Sequence, residues 1–222
     1  MKQTPTHSSY NPDILKIMPG NLKRVVEVGC SAGALARAYT GINPQCIYTG
    51  IEIDADYAEV ARAYCSEVVN ENIESLPEEY FLRLFPSDCW IFGDTLEHLY
   101  DPWALLQRVR LRLGPDAQII ACIPNAQHWS IQARLNSGLF RYQDIGLMDR
   151  THIRWFTRTT MIELFESTGY KITECFPRIF AEPAREKVLP AIGAMAQAIG
   201  ADPQQAVRDA IPLQWVIKAV PV

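Results

Sequence analysis

Lys23-Arg24-Val25-Val26-Glu27-Val28-Gly29-Cys30-Ser31-Ala32-Gly33 is the stretch from which the fold of this chain is read. A β-branched apolar run breaks at a glycine turn and passes into the Ala-rich segment from Ala34 to Tyr39, which spells strand, tight turn, helix. Gly29 and Gly33 let the backbone turn sharply and approach a ligand with no Cβ in the way. The same alternation continues outward. Strands are expected at Cys46 to Ile53, Glu67 to Val69, Asp88 to Phe92, Ala117 to Ile123, Lys171 to Phe176 and Gln214 to Val220. Between them fall a helix carrying Tyr57, Val60, Ala61 and Tyr64, and one capped by Asp101-Pro102 and stopped by Gly114-Pro115. A third starts at Thr157 or Thr160 and stops at Gly169, and a pair of short helices lies between Glu182 and Ala210. The pattern predicts an α/β fold with about seven mostly parallel strands.

With 222 residues and 48% apolar composition, the chain buries a core without staples and reads as a single domain. It divides into an N-terminal cap segment 1–20, an irregular insertion 126–156 and a helical insertion 182–210 before the last strand. A net charge of -4 disfavours nucleic acid and anionic membranes as partners. Six cysteines stand singly with no C-x-x-C pair, as expected of a reducing compartment. The polar start MKQTPTHSSYNPD has no apolar h-region, and the weakly polar stretch from Val188 to Ile199 is too short to span a bilayer. A cytoplasmic location is expected.

In an open parallel sheet, ligands sit beyond the carboxyl ends of the strands, so the loops after the first, second and fourth strands converge on one crevice. Glu52, 19 positions beyond Gly33, places a carboxylate there that can accept both hydroxyls of a ribose. A dinucleotide fingerprint would need three glycines, yet its positions hold Gly29, Ser31 and Ala34. A nicotinamide-dependent oxidoreductase is therefore disfavoured.

Glu27-Val28-Gly29-Cys30-Ser31-Ala32-Gly33 resembles motif I of the class I S-adenosylmethionine-dependent methyltransferases. Tyr48 to Asp54 is similar to the family's second motif, Asn70 to Glu74 to its adenine-bracketing segment, and Asp88 to Trp103 to its fourth-strand motif. The resemblance covers roughly residues 20 to 175. It implies a Rossmann-like class I methyltransferase fold with helices on both faces of a seven-stranded sheet, and S-adenosylmethionine as cofactor. The implied cofactor contacts are Glu27, Gly29, Cys30, Gly33, Glu52, Ile53, Asn72, Ile73 and Asp94, with Asp54 a secondary acid of more structural character. Two departures are Asn72 for the common Asp, and Gly114-Pro115-Asp116-Ala117 before the fifth strand.

Methyl transfer to a hydroxyl calls for a group that removes its proton. His7 lies in the polar tail, which leaves His98, His128 and His152. Asp94-x-x-Glu97-His98 with Thr151-His152-x-x-x-Phe156 is similar to the ubiquinone-pathway and small-RNA 2′-O-methyltransferases. That resemblance implies catalytic roles for His98 and His152, and a divalent metal held by Asp94, Glu97, His98 and His152. Asp94 stands where those families carry Glu. The competing reading has Glu97 and His98 merely supporting the loop, and metal use is not favoured.

Arg134, Arg141, Arg150, Arg154 and Arg158 against Asp144 and Asp149 make a local surplus of three positives, which suits an anionic acceptor or simply surface ion pairs. Pro124 to Trp129, Gly138 to Tyr142 and Thr151 to Thr157 also resemble methyltransferases associated with cell-surface polysaccharide genes, which favours a small-molecule or glycan hydroxyl. Trp129, Phe140, Tyr142, Trp155 and Phe156 either wall the acceptor cavity or fill core. Tyr10 and Asn11 either fold over the cofactor or pack the N-terminal segment. Leu189, Ile192, Met195, Ala196 and Ile199 at helical spacing suit a lid or a homodimer surface, with closure of the sheet edge as the default. A non-catalytic module that keeps the fold as a scaffold is the remaining alternative.

Overall fold

In the computed structural model, residues 9–222 are described, and His7 with the start of the 1–20 segment lies outside them. Val25 and Val28 in the first strand show why the sheet is covered twice. Successive side chains of a strand point to opposite faces, and Val26, Val28, Trp90 and Phe92 enter one buried cluster while Val25, Cys89 and Ile91 enter another. Such near-continuous apolar strands belong to parallel sheets buried on both sides.

The strands are β1 (Arg24–Val28), β2 (Ile47–Ile51), β3 (Glu67–Val69), β4 (Cys89–Gly93), β5 (Gln118–Pro124), β6 (Tyr170–Arg178) and β7 (Gln214–Pro221). They form one sheet in the order β3-β2-β1-β4-β5-β7-β6. The pairs among β1 to β5 are parallel, and β7 runs antiparallel to both β5 and β6. The reversal of strand order on either side of β1 and β4 opens the expected crevice at their carboxyl ends.

The helices are α1 (Pro12–Ile17), α2 (Ala34–Ile42), α3 (Ala55–Ala61), α4 (Glu78–Arg83), α5 (Pro102–Arg110), α6 (Trp129–Asn136), α7 (Arg158–Ser167), α8 (Arg185–Ala198) and α9 (Pro203–Asp209). Asp101 caps α5 by accepting from Ala104 N–H at 2.9 Å, with Pro102 in the first helical turn as expected. Thr157 caps α7 in a reciprocal arrangement with Thr160, and Gly169 leaves the helix at φ +86°.

Three differences from the sequence reading have local causes. Region 126–156 is not wholly irregular, because α6 starts at His128, whose ring accepts from Ser130 N–H. Among its residues only Ile131 is buried, so the helix carries no apolar stripe to be read. α8 is a fourteen-residue helix rather than a short one, and it runs through Pro190. Its buried residues Leu189 and Ile192 pack with Ala210, Val207 and Trp129, so the 182–210 insertion seats itself on α6. α1 and α4, like α6, are helices the sequence reading omits. Asn11 caps α1 by accepting from Asp13 N–H at 3.0 Å. Among the described residues, no helix is long and apolar enough to cross a membrane, and the six cysteines are free.

Candidate active site

The loop after β1 takes positive φ at every second residue: Gly29 (+72°), Ser31 (+48°) and Gly33 (+75°). Gly29 also lies against the loop after β4, since a Cβ there would sit 2.7 Å from Thr95 Oγ1. Thr95 Oγ1 in turn donates to Val28 O at 2.8 Å. The two loops are thus latched together at the mouth of the crevice.

Glu52, at the end of β2, is buried to 6% exposure and faces that loop. Its Oε2 accepts from Ser31 N–H at 2.8 Å and its Oε1 from Asp54 N–H at 2.9 Å. Asn70 Nδ2 donates to the Glu52 carbonyl at 2.8 Å and holds the backbone beneath. Burial raises the Glu52 pKa against the pull of those amide donors. The Ile53 amide also acts on this carboxylate, which keeps acceptor capacity toward the crevice. Asp54 caps α3 through Asp56 and Tyr57 N–H, which makes it the structural acid of the pair.

Around this point the other expected cofactor residues fall into two groups. Ile53 is about half exposed (52%) and Asn72 is partly exposed, whereas Ile73 is buried in the core. Asn72 Oδ1 caps the turn Ile73–Ser75 by accepting from Glu74 N–H at 2.9 Å. Asp94, at φ +52°, accepts from Gln214 Nε2. Cys30 and Glu27 turn inward. A Cβ on Gly50 would meet Cys30 Sγ at 2.6 Å and Cys65 Sγ at 3.1 Å, so both thiols lie over that glycine. Cys30 therefore offers the crevice its backbone, not its side chain. Glu27 accepts from the Tyr48 hydroxyl at 2.9 Å, and burial pushes its pKa up to about 8.

On the acceptor side, the turn Leu96–His98 after β4 presents Glu97 and His98. The Glu97 carbonyl accepts from both Ile153 N–H (3.0 Å) and Arg154 N–H (2.9 Å), which brings His152 alongside. One ligand-capable atom each from Glu97, His98 and His152 lie within 4.8 Å of one another, and the imidazole centroids are 4.8 Å apart. His98 Nδ1 lies 3.1 Å from Thr151 O and 3.0 Å from Thr151 Oγ1, whose own proton goes to Asp149 Oδ1 at 2.7 Å. His152 Nδ1 lies 3.2 Å from Leu147 O. A carbonyl partner requires Nδ1 to carry the proton, so both rings keep Nε2 as a lone pair.

Burial lowers the pKa of His98, and burial together with the neighbouring His98 takes His152 down to about 4. Both are neutral near pH 7. Glu97 is 1% exposed, neither of its carboxylate oxygens has a hydrogen-bond partner, and burial followed by the charge of Asp94 raises its pKa well above the ordinary range. His152 Nε2 approaches Glu97 Oε1 at 3.9 Å. Of the four residues that the resemblance implies as a metal set, Glu97, His98 and His152 come together while Asp94 is not in the group; Thr151 and Asp149, which orient His98, were missed. An Asp-x-Thr turn two residues apart was the available signal. His128 is occupied elsewhere, between Ser130 Oγ (2.8 Å) and Glu182 Oε2 (3.1 Å), and it joins α6 to the approach to α8.

The sequence profile of the family described as Methyltransferase domain matches residues 8–175. No curated protein sequence matches the chain. Among solved structures, the plantazolicin methyltransferase BpumL in complex with SAH is 15% identical, with 90% of this chain and 76% of that one covered and a TM-score of 0.58. A SAM-dependent methyltransferase from Thermotoga maritima is 15% identical over 93% of this chain and 84% of its own, at a TM-score of 0.59. The mitomycin 7-O-methyltransferase MmcR is 15% identical, with 90% of this chain and 49% of that one covered, at 0.56. At such identities the likeness speaks to the fold, which is the seven-stranded Rossmann-like class I methyltransferase sheet.

Proposed function

Because the chain belongs to the methyltransferase-domain family, we propose that it uses S-adenosylmethionine to methylate a hydroxyl of a small or glycan-like acceptor. The residues fit that cofactor. Glu52 offers its remaining acceptor capacity to the ribose, the Gly29–Gly33 backbone lines its approach, and Ile53 and Asn72 flank the adenine side. Asp94 stands at the end of β4 beside it. When bound, the cofactor supplies an electrophilic methyl group on a sulfonium.

The chain's own contribution is position and proton removal. The observation that carries the reading is the pair of imidazoles with Nδ1–H directed to backbone carbonyls and Nε2 left basic. A ring held neutral at pH 7 can take the acceptor's proton at Nε2, and fixing Nδ1 keeps the tautomer from switching. A hydroxyl needs that help, whereas an amine in its free-base form does not.

A second reading is favoured by the bare Glu97 carboxylate. Two buried acceptor oxygens without donors, beside two imidazoles whose Nδ1–H groups bond to carbonyls, form a mixed oxygen and nitrogen donor set suited to magnesium, manganese or zinc. A thermal-shift titration with each ion, with and without Glu97→Gln, decides between the readings.

S-adenosylhomocysteine should raise the melting temperature of the native chain, and Glu52→Ala should abolish the rise. His98→Ala and His152→Ala should lower turnover by about 10²- to 10⁴-fold with little change in cofactor affinity. Labelled cofactor tested against nucleotide sugars, glycans, phenols and amines identifies the acceptor. Preference for an amine over every hydroxyl would refute the role of the histidines.

A further inference from the structure

We infer that Arg134 and Arg141 form a subsite for a phosphate or carboxylate carried by the acceptor, at the far end of the aromatic row that begins at His152. The inference rests on the methyl-transfer reading above and names the substrate class of the same site.

The five arginines of this region divide sharply. Arg150 pairs with Asp144. Arg154 donates from Nε to Tyr100 O at 3.0 Å and lies over the Trp103 ring, and Arg158 lies over the Trp215 ring. Among the described residues, neither Arg134 nor Arg141 pairs with a carboxylate, although the chain as a whole is acidic. Both line an open surface hollow of about 490 Å³ together with the exposed Leu139, Tyr142 and Gln143. Two guanidiniums, a side-chain amide and an aromatic wall are the donor set of an oxyanion pocket.

This hollow is coupled to the histidines in two ways. Rings connect them in sequence: His152 to Trp155 at 6.0 Å, Trp155 to Phe140 at 5.7 Å, and Phe140 to Tyr142 at 6.0 Å between centroids. The backbone connects them as well, since Gln143 bridges to Asp149, whose carboxylate orients Thr151 against His98. An acceptor laid along the row would place its hydroxyl at the imidazoles and its anionic group at the arginines. The intervening rings suit sugar faces, such as those of a phosphorylated or uronic glycan end or of a sugar linked to a nucleoside diphosphate.

Calorimetry with UDP-glucose, glucose 1-phosphate, glucuronate and glucose tests this directly, with S-adenosylhomocysteine present and absent. The charged probes should bind the native chain and glucose should not. Arg134→Gln/Arg141→Gln should weaken the charged probes by at least about tenfold, leaving S-adenosylhomocysteine binding unchanged. Binding of the phosphates alone, or of glucuronate alone, identifies which oxyanion the pocket takes. Equal binding of glucose, or no effect of the double substitution, or no binding of any charged probe overturns the inference. Loss of S-adenosylhomocysteine binding by the native chain would instead overturn the methyl-transfer reading, whatever the sugar probes do.

Discussion

Gly29→Ala tests the latch between the loops after β1 and β4. Two separable costs are expected. A side chain at φ +72° costs about 1–2 kcal/mol whatever surrounds it. The added Cβ would also lie 2.7 Å from Thr95 Oγ1 and 3.3 Å from Thr95 Cγ2, an overlap worth about 1–3 kcal/mol. Thr95→Ala removes both of those atoms and leaves Cβ at 3.6 Å, an ordinary contact. Alone, that substitution forfeits the 2.8 Å bond to Val28 O, at about 0.5–1.5 kcal/mol. In the double variant only the backbone term and the lost hydrogen bond should remain, so the two changes should couple favourably by about 1–3 kcal/mol. Urea unfolding of the four proteins measures the coupling. Additivity within about 0.5 kcal/mol would show that the loops do not meet at this point.

Four further outcomes are expected. The folded state keeps a proton on Glu27 from its ordinary value of 4.5 up to about 8, so that group's stabilisation is lost as pH rises through this window, by at most about 1.4 kcal/mol per unit; Glu27→Gln should flatten that limb of an unfolding-versus-pH profile. His152 behaves in the opposite sense. Its folded pKa of about 4 lies below the ordinary 6.5, so the unfolded chain binds the extra proton and stability falls as pH drops from 6.5 toward 4, a slope that His152→Gln should reduce. For the same reason the acid limb of kcat/KM should lie below pH 6.5, and a limb above 7 would remove the histidines from catalysis. Asn125 is fully buried, donating to Asp209 O and Pro212 O at 2.8 Å and accepting from Gln127 N–H at 3.0 Å, so Asn125→Ala should cost about 2–4 kcal/mol in chemical denaturation.

The strand, turn and helix around Gly29 were legible because β-branched runs and glycines act over a few neighbouring residues. Asp101 and Thr157 announced their helices for the same reason. α6 was not legible, since a helix that buries one residue and begins at a histidine has neither an apolar period nor a familiar cap. Spacing located Cys30 in the cofactor loop but not the direction of its thiol, which depends on the bare Gly50 beneath. The grouping of Glu97 and His98 with His152 came through resemblance, whereas the hydrogen bond that orients His98 joins residues 53 apart and exists only in the folded chain. Likewise, the arginine surplus could be counted in advance, but which guanidiniums would find neither an ion pair, a carbonyl nor a ring could not.

The clasp by which one carbonyl, that of Glu97, receives two successive amides has a bearing on how such an enzyme diversifies. Every residue except proline carries a peptide N–H, so these two bonds beside His152 do not depend on which side chains stand at 153 and 154. Exchanges there alter the side chains beside His152 while the backbone keeps both donors to Glu97 O. Proline alone, by deleting a donor, would remove one of the two bonds of that tether.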